Sequence, residues 1–190
     1  MAKRKISRLV PKRQLLRMLG FAGLATVAAW LGLGPARTRA ADAASPETPG
    51  PGKLELPIAR WRELLSPPAF RVLFEEGTER PYSSSLNGEK RAGLFVCRAC
   101  YLPLFDAATK YESGTGWPSF WEPLPQALET KTDFKLIFPR TEYHCMRCGG
   151  HQGHVFKDGP PPTGLRYCNN GVALQFVPKG EPLPPLREKS

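Results

Sequence analysis

Apolar positions recur at helical spacing just after Pro57 (Ile58, Trp61, Leu64, Leu65) and predict a short helix over 58–65. Ser66 offers a side-chain cap and Pro67 a first-turn residue for a second helix, which turns Phe70, Leu73 and Phe74 inward and has Gly77 placed to end it. Beyond Pro81 that period gives way to short β-like runs bounded by Gly, Pro, Asn and Asp, at 93–97, 134–138, 141–145, 154–157 and 166–177. The pattern implies a β-rich fold with small helices at its front. Residues 101–131, rich in Pro and aromatics, hold no period and are expected to form a folded loop layer; loops of that length are functional or need bracing. After Pro178 the Pro- and charge-rich tail, 179–190, is expected to fray.

Residues 1–43 carry a different pattern, that of an export signal. A basic start runs into an apolar stretch from Met18 to Leu33, broken by Gly20, Gly23 and Gly32 and shorter than the roughly 20 residues of a membrane span. Ala41-Asp42-Ala43 then fits a small-x-small cleavage point, with a retained anchor as the alternative, and 44–56 reads as a flexible linker. Lys12-Arg13-Gln14-Leu15-Leu16-Arg17 resembles a twin-arginine signal in which Lys replaces the first Arg and Leu the usual Phe, which leaves the Sec route open. The expected location is the periplasm, with membrane contact only through export of the leader.

At 190 residues the chain accommodates one ordinary domain, taken as 57–178 and expected to act as a monomer. The formal charge of +10 suggests a nucleic-acid binder until it is divided: 1–43 contributes +8 and the remainder only +2. No footprint for phosphate backbones remains, so nucleic acid is excluded as a partner.

Four of the five cysteines form two C-x-x-C pairs, Cys97-Arg98-Ala99-Cys100 and Cys145-Met146-Arg147-Cys148. Each pair supplies half of a tetrahedral four-sulfur site, closed to water and therefore structural, with zinc as the expected ion. Two disulfides or a redox-active pair are the alternatives. A reducing cytosol favours assembly of such a site, which fits export after folding. The fifth cysteine, Cys168, lies in Gly164-Leu165-Arg166-Tyr167-Cys168-Asn169-Asn170-Gly171, downstream of His151-Gln152-Gly153-His154. A turn at 158–164 folds the histidines back toward it, where imidazolium or Arg166 charge favours a reactive thiolate. Taken alone, a single cysteine on an apolar strand is more often a packing residue.

Several runs in order decide between these readings: Gly77-Thr78-Glu79-Arg80-Pro81, Leu104-Phe105, Ser113-Gly114-Thr115-Gly116-Trp117-Pro118-Ser119-Phe120, Arg140-Thr141-Glu142, His151 to Phe156, Asp158-Gly159-Pro160 and Arg166 to Asn170. From Trp61 to Phe176 the chain resembles a methionine-R-sulfoxide reductase of the B type. That resemblance implies a mainly β fold of two antiparallel sheets with short N-terminal helices, and zinc on Cys97, Cys100, Cys145 and Cys148, away from the active site. It implies reduction of the R epimer of peptide-bound methionine sulfoxide, with Cys168 of the R-Y-C-x-N motif as nucleophile. His151 and His154 position and protonate the sulfoxide oxygen, Asn170 adds a hydrogen bond, and Trp117 packs on the methyl bonded to sulfur. Many members have a second cysteine where Thr115 stands here, so the Cys168 sulfenic acid has no internal partner and an external thiol or thioredoxin-like protein is the expected reductant. His144 and Gln152 occupy positions regarded as variable, and His144 is not expected to bind the zinc.

Overall fold

A computed structural model describes residues 52–133 and 139–189; the leader, most of the linker and the expected strand 134–138 lie outside the described residues. Two helices open the described chain, α1 (Ile58–Leu64) and α2 (Pro67–Glu75). Trp61 stacks on Phe74 at 4.9 Å, and α2 buries Ala69, Phe70, Val72 and Leu73. The Ser66 side chain makes no cap bond. The reason lies in Pro67 and Pro68, which remove the N–H groups of the first two helical positions and leave a cap little to accept from. The left-handed residue that ends α2 is Glu76 (φ 52°), one place before the expected Gly77, whose N–H closes the turn on the Arg71 carbonyl at 3.0 Å.

Among the described residues nine strands follow: β1 (Gly93–Cys97), β2 (Pro103–Asp106), β3 (Lys110–Tyr111), β4 (Ser119–Phe120), β5 (Leu128–Asp133), β6 (Arg140–Cys145), β7 (His151–Phe156), β8 (Arg166–Asn169) and β9 (Leu174–Pro178). They form two antiparallel sheets, ordered β2-β1-β9 and β3-β4-β8-β7-β6-β5. The expected loop layer 101–131 therefore holds three strands and the start of a fourth, two of them only two residues long. The expected single run 166–177 is two strands in different sheets, separated by a 3-10 turn at Gly171–Ala173. β7 begins at His151, three residues earlier than its pattern suggested.

An aromatic column joins the sheets. Phe105 of β2 stacks on Phe120 of β4 at 4.1 Å, Phe95 of β1 meets Phe120 edge-on at 4.9 Å, and Tyr143 of β6 meets Tyr167 of β8 at 5.4 Å. Because side chains alternate along a strand, a half-buried Tyr167 turned into this column sends its neighbours Arg166 and Cys168 to the opposite face of the larger sheet. In the tail, Arg187 donates through Nε to the Ala99 carbonyl at 2.7 Å and lies over the Tyr101 ring. No helix among the described residues is long and apolar enough to cross a membrane.

Candidate active site and metal centre

The register of the larger sheet brings the expected site residues together. His154 of β7 pairs directly with Cys168 of β8, and Cys168 pairs on its other side with Ser119 of β4. Gly153 makes this possible: a Cβ there would stand 1.9 Å from the Cys168 carbonyl oxygen, so any other residue would part β7 from β8 at the nucleophile. The register of β6 against β7 shifts between Tyr143 and His144, which sets one extra residue into β7. His151 and His154 consequently share a face, with ring centroids 5.5 Å apart.

Cys168, His154, Trp117, Asn170, Phe156 and Thr78 line a cavity of about 120 Å³. Trp117 is held by its indole N–H, which donates to the Glu79 carbonyl at 3.2 Å. The Asn170 side chain accepts from the Glu79 N–H at 3.0 Å and donates to the Gln152 carbonyl at 3.0 Å. Its amide thus clasps three segments together, a role that the sequence reading, which assigned it to the substrate, did not foresee.

His151 does not line the cavity. It is buried at 2% exposure one ring behind His154, with Nδ1 2.5 Å from Glu142 Oε1. Burial depresses its pKa to about 4, so the ring is neutral at physiological pH. His154 is held by a carboxylate the sequence reading missed: Nε2 donates to Asp133 Oδ2 at 2.9 Å, and Arg140 donates to the same oxygen at 2.7 Å. Asp133 went unnoticed because it belongs to none of the quoted runs, and Glu142, although it stands in the run Arg140-Thr141-Glu142, was given no role; both are far from Cys168 along the chain. Their signal was charge at alternate positions on one face of paired strands, a face that a purely solvated hairpin would also show.

The expected thiolate needs correction. Burial pushes the Cys168 thiol above its ordinary range; Arg166 and a hydrogen bond from Thr115 pull the other way and are outweighed. The Arg166 charge is shared, since its guanidinium donates twice to Asp158, at 2.9 Å each, and lies over the Phe156 ring at 4.3 Å. Burial therefore favours the thiol form of the resting sulfur. Thr115, at the position of the absent second cysteine, contacts the Cys168 sulfur and is fixed by Ser113 at 2.8 Å.

The other four cysteines cluster where the β1–β2 and β6–β7 turns meet, their sulfurs all within 4.8 Å of one another. None is in a disulfide. Cys97 and Cys148 are 3.7 Å apart and Cys100 and Cys145 3.5 Å, far beyond a sulfur–sulfur bond and close to the edge of about 3.8 Å that a tetrahedron of 2.3 Å metal–sulfur bonds requires. The donor set and its spacing therefore fit a closed tetrahedral ion such as zinc. His144 stays outside that cluster; its ring accompanies Glu142, at 2.9 Å, and His151. Gln152 is not a bystander: fully buried, it donates to the Cys97 sulfur at 3.4 Å.

Comparison with known proteins agrees with this arrangement. Residues 65–178 match the SelR domain family. The chain is 49% identical over 130 residues to "Peptide methionine sulfoxide reductase MsrB" of Pseudomonas putida (strain W619), covering 67% of this chain and 96% of that one. It is 51% identical over 122 residues to the protein of the same name from Thiobacillus denitrificans, covering 64% and 92%. Among solved structures, the crystal structure of the Mis18 'Yippee-like' domain is similar at a TM-score of 0.38 and 17% identity, over 48% of this chain and 100% of that one. With the SelR match spanning both cysteine pairs and Cys168, and with near-full-length relatives at about half identity, the chain belongs to the SelR-domain family of MsrB peptide methionine sulfoxide reductases.

Proposed function

We propose that this protein reduces peptide-bound methionine-R-sulfoxide to methionine, repairing oxidised proteins, with Cys168 as the reacting thiol. The observation that carries the reading is the direct pairing of Cys168 with His154 in a small cavity walled by Trp117 and Phe156. A space of about 120 Å³ suits a methyl sulfoxide group rather than a larger ligand. Aromatic walls favour the substrate methyl and sulfur by roughly 0.3 to 1.5 kcal/mol per contact.

In the step proposed, Cys168 attacks the sulfoxide sulfur and the oxygen is transferred to the cysteine. The substrate leaves as a thioether and Cys168 becomes a sulfenic acid, two electrons having passed from one sulfur to the other. The thiol proton must reach the sulfoxide oxygen as the bond to substrate sulfur breaks. His154, anchored on Asp133, is the group at hand to pass it, an effect of roughly 10² to 10⁴ in rate. Neutral His151 supports the His154 ring from behind. The sulfenic acid then condenses with an external thiol, releasing water, and a second thiol frees Cys168 as the mixed disulfide exchanges. A thioredoxin-like protein or a small thiol is the reductant, because Thr115 has no sulfur to offer. Zinc on Cys97, Cys100, Cys145 and Cys148 supplies folding free energy and no chemistry at the substrate.

The basic start, the apolar stretch 18–33 and Ala41-Asp42-Ala43 support export to the periplasm, by the twin-arginine route after folding. Fractionation of cells expressing the full chain is expected to give periplasmic activity that Lys12→Ala with Arg13→Ala abolishes. The reaction itself is tested with dabsylated R and S epimers of methionine sulfoxide and dithiothreitol. The wild type should consume only the R epimer and Cys168→Ser neither; equal turnover by the two proteins ends the proposal.

A further inference from the structure

We infer that Glu142, His144 and His151 form a second metal site, which takes a divalent transition-metal cation such as Zn²⁺ on two imidazoles and one carboxylate. The inference is independent of the reductase reading. The three side chains each offer one ligand atom, and those atoms all lie within 4.8 Å of one another. They come from two adjacent strands: Glu142 and His144 alternate onto one face of β6, and His151 of β7 is the cross-strand partner of His144. Two imidazoles and a carboxylate with positions left open are a donor set that divalent zinc and its neighbours in the transition series bind well.

Burial supplies the second observation. Among the described residues neither buried ring nitrogen of His151 makes a well-directed hydrogen bond, although Nδ1 lies 2.5 Å from Glu142 Oε1. A poorly paired imidazole at 2% exposure carries a standing cost that a cation coordinated beside Glu142 would reduce. His144 Nε2 reaches the same Glu142 oxygen at 2.9 Å, so all three ligands already converge. Tetrahedral metal bonds of about 2.1 Å, with ligand atoms about 3.4 Å apart, would require the His144–Glu142 pair, now at 2.9 Å, to spread by roughly 0.5 Å and the His151–Glu142 pair, now at 2.5 Å, by roughly 0.9 Å. The His144 side chain, 13% exposed, gives the approach. The competing cation is the ammonium of Lys131, 3.4 Å from Glu142 Oε2; it is half-exposed and also bound to Glu76 at 2.6 Å, so it can withdraw toward Glu76. An ion here would sit one ring behind His154 and would hold His151 against movement.

The test uses untagged protein already carrying one zinc on its four cysteines, with Cys168→Ser added so that the free thiol binds nothing. Calorimetric titration with Zn²⁺ is expected to show one further equivalent, bound at least about tenfold more weakly after His144→Asn, which deletes one of three ligands. The His144→Asn protein should keep its cysteine-bound zinc and its thermal transition, which separates loss of the site from loss of the fold. In the Cys168 protein, micromolar Zn²⁺ should slow turnover, and His144→Asn should relieve the effect. Absence of a second equivalent, or a second equivalent that His144→Asn retains, overturns the inference. So does equal zinc inhibition with and without His144, since that locates the ion on Cys168 itself.

Discussion

At the position of Cys168, two physical effects oppose each other and their balance sets the reactivity. Desolvation favours the thiol, Arg166 and Thr115 the thiolate, and desolvation prevails. Arg166→Gln removes the cation while keeping a hydrogen-bonding side chain, so the thiol should rise further. Iodoacetamide labelling of Cys168 at pH 7 should slow relative to the wild type, and the alkaline limb of kcat/KM should move to higher pH. Unchanged labelling would show that Asp158 had already neutralised the arginine. Thr115 gives a second prediction at this scale. Its hydroxyl touches the Cys168 sulfur, so Thr115→Cys puts a thiol where a sulfenic acid would form. One equivalent of substrate without reductant should leave the wild type with a dimedone-reactive Cys168. The variant should instead hold a 115–168 disulfide, detectable by peptide mass mapping, with one water released.

Between elements, the β6–β7 pair carries a pH signature of its own. His151 sits neutral inside it with a pKa near 4, against about 6.5 when unfolded. Above pH 6.5 neither state is protonated and the pair is at full strength. As pH falls from 6.5 toward 4 the unfolded chain takes up a proton that the folded chain refuses, and stability drops by about 3 kcal/mol across that window. Urea unfolding at pH 7 and pH 4.5 should show this loss, and His151→Gln should flatten it. An equal loss in the variant would assign the effect to other groups. How far these elements were legible follows from what each asks of its sequence. α1, α2, β1 and most of β6 carry a period of their own, and the period found them. β3 and β4 are two residues each, too short to express alternation, and exist because β8 supplies a partner to β4 and β4 one to β3. Cys168 was legible because it stood outside the cysteine pairs. Asp133 was not, and Arg140 was seen only as part of a run without a role, because they meet His154 only through the pairing of β5, β6 and β7. The clasp on Glu79 was hidden for the same reason: its carboxylate accepts from Gly171 and Val172, over ninety residues away.

Across the whole molecule the four-cysteine centre ties the two sheets at a point where no aromatic contact does. Cys97 and Cys100 leave β1 of the smaller sheet, while Cys145 and Cys148 leave β6 of the larger one. Gln152 extends the link inward, from the Cys97 sulfur to the Asn169 side chain at 3.4 Å and, through its carbonyl, to Asn170 in the cavity. Loss of the ion would leave three buried sulfurs and the half-buried Cys148 sulfur to repel as thiolates or to protonate without partners, and would free the turns that hold β6 and β7 in register. Apparent zinc-binding free energies of about 10 to 16 kcal/mol for structural sites are comparable with the whole stability of a domain, roughly 5 to 15 kcal/mol. Removal by a strong chelator should therefore abolish the cooperative thermal transition and the activity together, and added zinc should restore both. Gln152→Leu should keep the fold but release zinc to the chelator about 10- to 100-fold more readily, as loss of an outer-shell hydrogen bond does. A metal-free protein, verified by elemental analysis, that still melts at the same temperature would mean that the aromatic column between the sheets suffices to hold them.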